Sequence, residues 1–181
     1  MPNPAQRRFF LTRLATAALA TAAGRAAAQT STADRTLSFA HLHTGERLSV
    51  EYFQAGRYLP DALAAVNHLL RDFRSGAVGT IDPTLLDLLH ELATRTGSVR
   101  PFEIISGYRS SDTNEMLRGR QAHSGVAQGS LHLSGRAVDI RLADVPLVRL
   151  RDAALALRGG GVGFYPGSDF VHVDTGRVRA W

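Results

Sequence analysis

The stretch SLHLSGRAVDI, residues 130–140, places a histidine seven positions before an aspartate and ends in a run that predicts a buried strand. Gly135 lies between His132 and Asp139, and glycine permits the sharp turn that would bring both side chains to one point. Histidine and carboxylate are ligands that zinc accepts. The spacing is equally compatible with a loop histidine and a strand aspartate that never meet. The stretch indicates a metal site only if the chain supplies a third ligand.

A second histidine with acidic neighbours lies near the other end of the sequence. His172 falls on a predicted strand, with Asp169 three residues before it and Asp174 two residues after it. Two histidines and one carboxylate leave one position of a tetrahedral zinc open for water, which is the arrangement of catalytic zinc sites. Such chemistry needs a further carboxylate as base, and an arginine can stabilise the oxyanion. His132, Asp139 and His172 are therefore candidate zinc ligands.

The other five histidines are predicted to be structural or surface residues. His68 and His90 lie in amphipathic segments at positions that can face solvent, and His123 lies in a glycine-rich loop. The HLH stretch at 41–43 has the alternation of a metal-binding strand, but its polar surroundings favour a structural role.

Composition excludes several classes of protein. The chain has no cysteine, which excludes disulfides, thiolate nucleophiles and cysteine-bound zinc. All 21 basic residues are arginine, so neither a catalytic lysine nor a Walker-type phosphate loop is possible. Four arginines lie within the first 28 residues, which contain no acid, and the rest of the chain has 17 basic and 16 acidic residues. We therefore expect no nucleic-acid partner.

Residues 1–28 have the order of a signal peptide. An arginine pair is followed by an alanine-rich apolar run and by three alanines before Gln29. The stretch RRFFL at 7–11 resembles the twin-arginine export pattern, although Gln6 stands where serine or threonine is usual, and an ordinary secretory signal is the alternative. Arg13 interrupts the run, which is too short for a permanent membrane span. We expect export to the periplasm or cell envelope.

The mature chain is predicted to be a polar N-terminal arm at 29–45 followed by one domain at 46–181. No regular strand–helix alternation is present, which favours an α+β fold with a small, mainly antiparallel sheet and flanking helices. In the helix at 81–97, Asp82 is the predicted N-cap and Gly97 the end. In the helix near 111–118, Asp112 and Glu115 form a predicted capping box. Further helices are predicted at 60–74 and 144–160, and strands at 47–53, 102–106, 136–142 and on both sides of a Pro166–Gly167 turn.

Three ordered motifs carry a resemblance to a known family. They are SGYRS at 106–110, SLHLSGRAVDI at 130–140 and GVGFYPGSDFVHVDTGRVRAW at 161–181. Together they resemble the zinc peptidases that include D-alanyl-D-alanine carboxypeptidases and dipeptidases, and most of all the murein endopeptidase K branch. HLHTGERLSVEY at 41–52 also resembles that branch. The resemblance implies the α+β fold shared by Hedgehog proteins and D,D-peptidases, with the site on an antiparallel sheet.

The resemblance also implies roles for individual residues. His132, Asp139 and His172 would bind one zinc ion, and a zinc-bound water would be the nucleophile. Asp169 would be the general base, and Arg109 would stabilise the transition state or orient the substrate. Ser130 would contact the substrate, whereas Asp174 would support His172 or the end of the strand. From the residues alone, Arg109 could instead be a structural ion-pair residue, and Asp169 a turn residue.

The function expected on this basis is an exported zinc metallopeptidase that cuts peptide cross-links in peptidoglycan. A carboxypeptidase acting on uncross-linked stems is one alternative. A non-catalytic, zinc-stabilised module that binds the cell wall is another, and it would need neither Asp169 nor Arg109. Peptidoglycan peptides are the expected partner, and the oligomeric state is left open by the sequence.

Overall fold

The structure is a computed structural model that describes residues 33–119, 127 and 129–181. The predicted signal peptide at 1–28 and His123 lie outside the described residues. The strands are β1 (Arg35–His41), β2 (Arg47–Gln54), β3 (Arg57–Tyr58), β4 (Phe102–Ser106), β5 (Ala137–Arg141), β6 (Gly161–Tyr165), β7 (Phe170–Asp174) and β8 (Arg179–Ala180). The α-helices are α1 (Pro60–Leu69), α2 (Pro83–Thr96), α3 (Ser111–Gly119) and α4 (Leu147–Leu157).

The strands form one sheet in the order β3-β2-β1-β4-β5-β7-β6-β8. Neighbouring strands are antiparallel except in two pairs, β1 with β4 and β6 with β8, which are parallel. Helix α2 contacts β1 and α4, and α4 in turn contacts β6 and β7. The predicted α+β class with a mainly antiparallel sheet is confirmed, and eight strands make the sheet larger than expected.

The prediction of an N-terminal arm at 29–45 is wrong over Arg35–His41. This segment is β1, which lies inside the sheet between β2 and β4. Leu37 and Phe39 belong to the hydrophobic core, and Arg35 forms an ion pair with Asp87 of α2 at 2.6 Å. The strand was missed because its apolar positions are few and are flanked by polar residues, whereas pairing on both sides satisfies its backbone. The folded domain therefore begins before residue 46.

Two helix boundaries follow the predicted signals. The Asp82 side chain accepts a hydrogen bond from the Thr84 backbone N–H, and α2 ends at Gly97 in the left-handed region (φ 68°). Helix α1 ends at Leu69, five residues before the predicted Arg74. The chain turns there because the buried Asp72 side chain accepts the Arg74 backbone N–H, which fixes a loop in place of another helical turn.

The predicted capping box at the start of α3 is wrong. Ser110 is the residue whose side-chain oxygen accepts the Thr113 backbone N–H at 3.3 Å, and Asp112 lies inside the first helical turn. Ser110 in turn donates its hydroxyl and its backbone N–H to Asp72 at 2.7 and 3.0 Å. The cap is therefore set by a contact 38 residues away in sequence, which a local motif does not reveal.

Candidate metal centre

Two of the three predicted ligands face each other across neighbouring strands. Asp139 on β5 is paired with His172 on β7, so that both side chains lie on the same face of the sheet. Their neighbours Val138, Ile140 and Val171 point to the opposite face and are fully buried in the hydrophobic core. The alternation of each strand thus places apolar residues in the core and ligand residues at the site.

His132 reaches the same point from a single 3₁₀ turn, Leu131–Ser134, that precedes β5. Gly135 ends this turn with φ 65°, a left-handed conformation that favours glycine. A Cβ atom at this position would collide with the backbone carbonyl of Thr80. Both the conformation and the close approach require glycine, and the predicted turn between His132 and Asp139 is confirmed.

The three ligand atoms converge. The distances are 3.2 Å from His132 Nε2 to His172 Nδ1, 2.8 Å from His172 Nδ1 to Asp139 Oδ1, and 3.4 Å from His132 Nε2 to Asp139 Oδ1. Ligands bound to a tetrahedral zinc at about 2.0–2.1 Å lie roughly 3.3 Å apart. The donor set and its spacing therefore fit a zinc ion with three protein ligands.

The remaining ring nitrogens are fixed by outer partners. His132 donates from Nδ1 to the Gly107 carbonyl at 2.7 Å, and His172 donates from Nε2 to Asp174 Oδ2 at 3.1 Å. These hydrogen bonds direct His132 Nε2 and His172 Nδ1 at the centre, where metal binding requires ligand nitrogens without protons. The expectation that Asp174 supports His172 is thus confirmed.

The charges around the site favour ionised carboxylates. Burial alone would raise the pKa of Asp139, but His132 and His172 outweigh burial and lower it below the usual range. Burial would lower the pKa of His172, whereas hydrogen bonds to Asp139 and Asp174 raise it. The pKa of Asp174 is lowered despite burial by its hydrogen bonds from His172 and Arg179. Both carboxylates are therefore charged at neutral pH, as a cation site requires.

The ligands lie in a cavity of about 360 Å³ whose lining also includes Arg109 and Ser130. Arg109 is 9% exposed, and its Nη1 donates to Asn114 Oδ1 at 3.3 Å. Its Nε has no hydrogen-bond partner among the described residues. A buried guanidinium that lines the cavity can bind a carbonyl or carboxylate oxygen that enters it. The structure thus brings Arg109 and Ser130 to the predicted ligands.

Asp169 lies outside the described lining of this cavity. It follows the turn Pro166–Ser168 with φ 54°, and its side chain is 63% exposed. Its carboxylate accepts a hydrogen bond from Arg141 at 2.7 Å, and Arg141 is also paired with Glu103 at 2.6 Å. Asp169 is adjacent to Phe170, which does line the cavity. In this arrangement the carboxylate of Asp169 is directed at Arg141.

The lining of the cavity also includes three aromatic residues that the sequence did not single out as site residues: Tyr165, Phe170 and Trp181. Tyr165 stacks on Phe170 with ring centroids 4.6 Å apart, and Trp181 Nε1 donates to the Tyr165 hydroxyl at 2.7 Å. The hairpin register pairs Tyr165 with Phe170 two residues before His172. The Pro-Gly turn predicted between these strands was the available signal, since it sets which residues face each other.

Comparisons with known proteins show the family of this chain. A family model described as peptidoglycan L,D-endopeptidase MepK matches residues 29–181. The chain belongs to this family. It is 46% identical over 147 residues to the peptidoglycan L,D-endopeptidase MepK of Escherichia coli K12, covering 81% of this chain and 80% of that protein. It is 45% identical over 148 residues to the probable peptidoglycan L,D-endopeptidase MepK of Haemophilus influenzae, covering 81% of this chain and 78% of that protein.

The crystal structure of the Serratia marcescens L-Ala D-Glu endopeptidase ChiX is a more distant match. It has 22% sequence identity and a TM-score of 0.34, covering 43% of this chain and 62% of that one. Membership of the MepK family therefore rests on the sequence matches, which confirm the resemblance carried by the three motifs. Within the part of the chain that the structure describes, no helix combines the length and apolar character needed to cross a membrane.

Proposed function

We propose that this chain is a zinc peptidase that hydrolyses an L,D peptide bond in the cross-links of peptidoglycan. The observation that carries the proposal is the convergence of His132, Asp139 and His172 in one cavity with the buried cation Arg109. The relatives named peptidoglycan L,D-endopeptidases supply the substrate class. A structural metal site would need the three ligands but no buried guanidinium beside them.

His132 Nε2, Asp139 Oδ1 and His172 Nδ1 would hold the zinc. The ion would supply a Lewis acid for the scissile carbonyl and lower the pKa of a bound water to roughly 7. The hydrogen bonds from His132 to Gly107 and from His172 to Asp174 keep the ligand nitrogens oriented without further rearrangement. The protein thus provides a preorganised donor set.

Arg109 would stabilise negative charge that develops on the substrate oxygen. Because Arg109 is buried, a hydrogen bond from its guanidinium to that oxygen would be stronger than one exposed to water. Ser130 lies directly before the turn that carries His132 and would contact the peptide backbone of the substrate.

Asp169 is the proposed general base. Among the described residues that line the cavity, the only acidic one is Asp139, which is a proposed ligand, and Asp169 is an acidic residue at its border. Asp169 is next to Phe170, which lines the cavity. Its side chain is exposed, so it would leave its ion pair with Arg141 and accept a proton at the cavity. In this role Asp169 would accept the proton of the attacking water and pass it to the leaving amine.

Residues 1–28 are proposed to be an export signal that directs the domain to the periplasm. The arginine pair, the apolar run and the alanines before Gln29 support this proposal. Periplasmic export would place the domain at the cell-envelope layer where peptidoglycan lies.

The function is tested by incubating the mature protein with cross-linked and uncross-linked muropeptides, with and without a chelator. We expect loss of the cross-linked species only, and only when metal is present. Release of a terminal residue from uncross-linked stems would instead identify a carboxypeptidase. Unchanged products under all conditions, with zinc still bound, would indicate a non-catalytic module.

The base is tested separately by Asp169→Asn, with Asp152→Asn as a matched control at an exposed carboxylate of α4. We expect Asp169→Asn to lower kcat by about 10²–10⁴ because proton transfer in the transition state is lost. Bound zinc, measured by metal analysis, should remain stoichiometric in both variants. Full activity in Asp169→Asn would assign the base to another group and leave the proposed reaction intact.

A further inference from the structure

We propose that Trp181, Tyr165 and Phe170 form an aromatic wall that determines substrate specificity. This wall would bind the aliphatic side chain of the stem-peptide residue beside the scissile bond. The inference rests on the proposed function for the identity of the peptide, whereas the wall itself is defined by contacts within this chain.

The wall is held rigidly. Trp181 donates its backbone N–H to Val162 and accepts the backbone N–H of Phe164, at 3.2 and 3.0 Å, which extends the pairing of β8 with β6. Its indole Nε1 donates to the Tyr165 hydroxyl. Despite these contacts, the Trp181 side chain remains 50% exposed. A large apolar side chain that is fixed and exposed beside a cavity is typical of a binding surface.

Gly163 provides the space that the wall occupies. It is paired with His172 across β6 and β7, so both residues lie on the site face of the sheet. A Cβ at position 163 would lie 2.8 Å from ring atoms of both Trp181 and Tyr165, so any side chain would displace them. The indole ring consequently lies beside a ligand, with its centroid 5.2 Å from that of His172.

The lining of the cavity combines two kinds of group. Arg109 and Ser130 offer hydrogen-bond donors, whereas the aromatic wall offers dispersion contacts. Arg179, whose guanidinium lies 4.7 Å from the centroid of the Trp181 ring, is already paired with Asp174 at 2.7 Å. A substrate would therefore be oriented with its polar backbone or carboxylate at Arg109 and with hydrocarbon at Trp181.

The first test uses the fact that Trp181 is the only tryptophan in the chain. Chelator-treated protein, which cannot turn over, is titrated with a cross-linked stem peptide that lacks sugars while tryptophan emission is recorded. We expect a saturable change in emission. If the change appears only with the disaccharide-bearing muropeptide, the wall binds glycan and the proposal is wrong. No change with either probe would also overturn it.

The second test compares Trp181→Ala and Trp181→Phe in the zinc-loaded enzyme. We expect KM to rise about tenfold in Trp181→Ala and less in Trp181→Phe, with kcat changed less than about threefold. Zinc affinity, measured by competition with a chromophoric chelator, should be unchanged in both. An unchanged KM, or a loss confined to kcat, would contradict a binding role.

The two proposals fail in different ways. Cleavage by the wild type combined with an unchanged KM in Trp181→Ala would contradict the binding role of the aromatic wall and leave the proposed peptidase function intact. A saturable change in tryptophan emission without cleavage of the substrate would contradict the proposed peptidase function and leave the binding role of the aromatic wall intact. A wild type that neither cleaves nor responds would contradict both.

Discussion

At the scale of single residues, the candidate metal centre depends on a carboxylate that is not a ligand. Asp174 is fully buried and acts only as an acceptor. Its Oδ2 accepts from His172 and Arg179, and its Oδ1 accepts from the backbone N–H groups of Gly161 and Gly176 at 2.9 and 2.8 Å. All of these partners donate hydrogen bonds to Asp174. The Asp174 carboxylate therefore orients the His172 ring, and Arg179 stabilises the negative charge of that carboxylate.

Asp174→Asn is therefore expected to weaken zinc binding. The amide would place an N–H₂ group against donors, and His172 would lose its fixed orientation. We expect zinc affinity to fall by about 10–100-fold. Chelator competition measures the affinity, and circular dichroism checks that the variant is folded. Asp152→Asn, at an exposed carboxylate paired with Arg151, is the control and should bind zinc like the wild type. Equal affinity in both variants would contradict a positioning role for Asp174.

The sequence predicted the residues of the centre better than it predicted the residues that enclose it. His132, Asp139 and His172 were identifiable because each is a metal-binding side chain with an acidic or glycine neighbour at short range. Arg179 and Trp181 were not identified as site residues, because they reach the site through the parallel pairing of β8 with β6. That pairing joins segments with no shared local pattern, and only the folded sheet reveals it.

At the scale of elements, Asp72 joins the loop after α1 to the start of α3 through hydrogen bonds. Its carboxylate accepts from Ser110 and from the Arg74 backbone, and its side chain is nearly fully buried. Burial alone would raise the pKa of Asp72, but hydrogen bonds from Thr113, Ser110 and Arg74 outweigh it and lower the pKa. Since Arg109 directly precedes Ser110, this contact also anchors the segment that carries the buried guanidinium.

Asp72→Asn should destabilise the domain in a pH-dependent way. At pH 7 we expect a loss of about 2–3 kcal/mol in the free energy of unfolding, because hydrogen bonds to a charged group are lost. The folded pKa of Asp72 lies below its unfolded value of about 3.9, so its stabilisation is complete above that value and disappears as the pH falls further. Urea unfolding should show that the difference in the free energy of unfolding between Asp72→Asn and the wild type is smaller at pH 3 than at pH 7.

The exposed Asp112→Asn, in the first turn of α3, is the control for this prediction. We expect it to change stability by less than about 0.5 kcal/mol at either pH. If the free-energy difference between Asp72→Asn and the wild type is the same at pH 7 and pH 3, the charge of Asp72 does not stabilise the loop.

Helices were predicted well where their signals are local and poorly where they are not. The N-cap Asp82 and the terminal Gly97 of α2 follow from the sequence alone. The cap of α3 depends on Asp72, and β1 depends on partners at both of its edges. Tertiary contacts therefore decided the elements that sequence reasoning assigned wrongly.

At the scale of the whole molecule, the metal would connect two segments that are distant in sequence. His132 precedes β5, Asp139 lies within it, and His172 lies on β7, with β5 and β7 paired at the centre of the sheet. Zinc bound to these residues stabilises the folded state only, because the unfolded chain does not keep the ligands together. The thermal stability of the domain should therefore depend on zinc concentration.

We expect zinc at about 100 times its Kd to add about 2.7 kcal/mol to the free energy of unfolding, which corresponds to a rise of about 5–10 °C in Tm for a domain of this size. The increase should shrink between pH 7.5 and pH 5, because the pKa of His172 is raised and protons compete with the metal for this ligand. Differential scanning calorimetry with and without zinc measures the rise in Tm at each pH. His132→Ala should lose the shift, whereas the exposed His68→Ala should keep it. A shift that survives in His132→Ala would place the metal elsewhere in the protein.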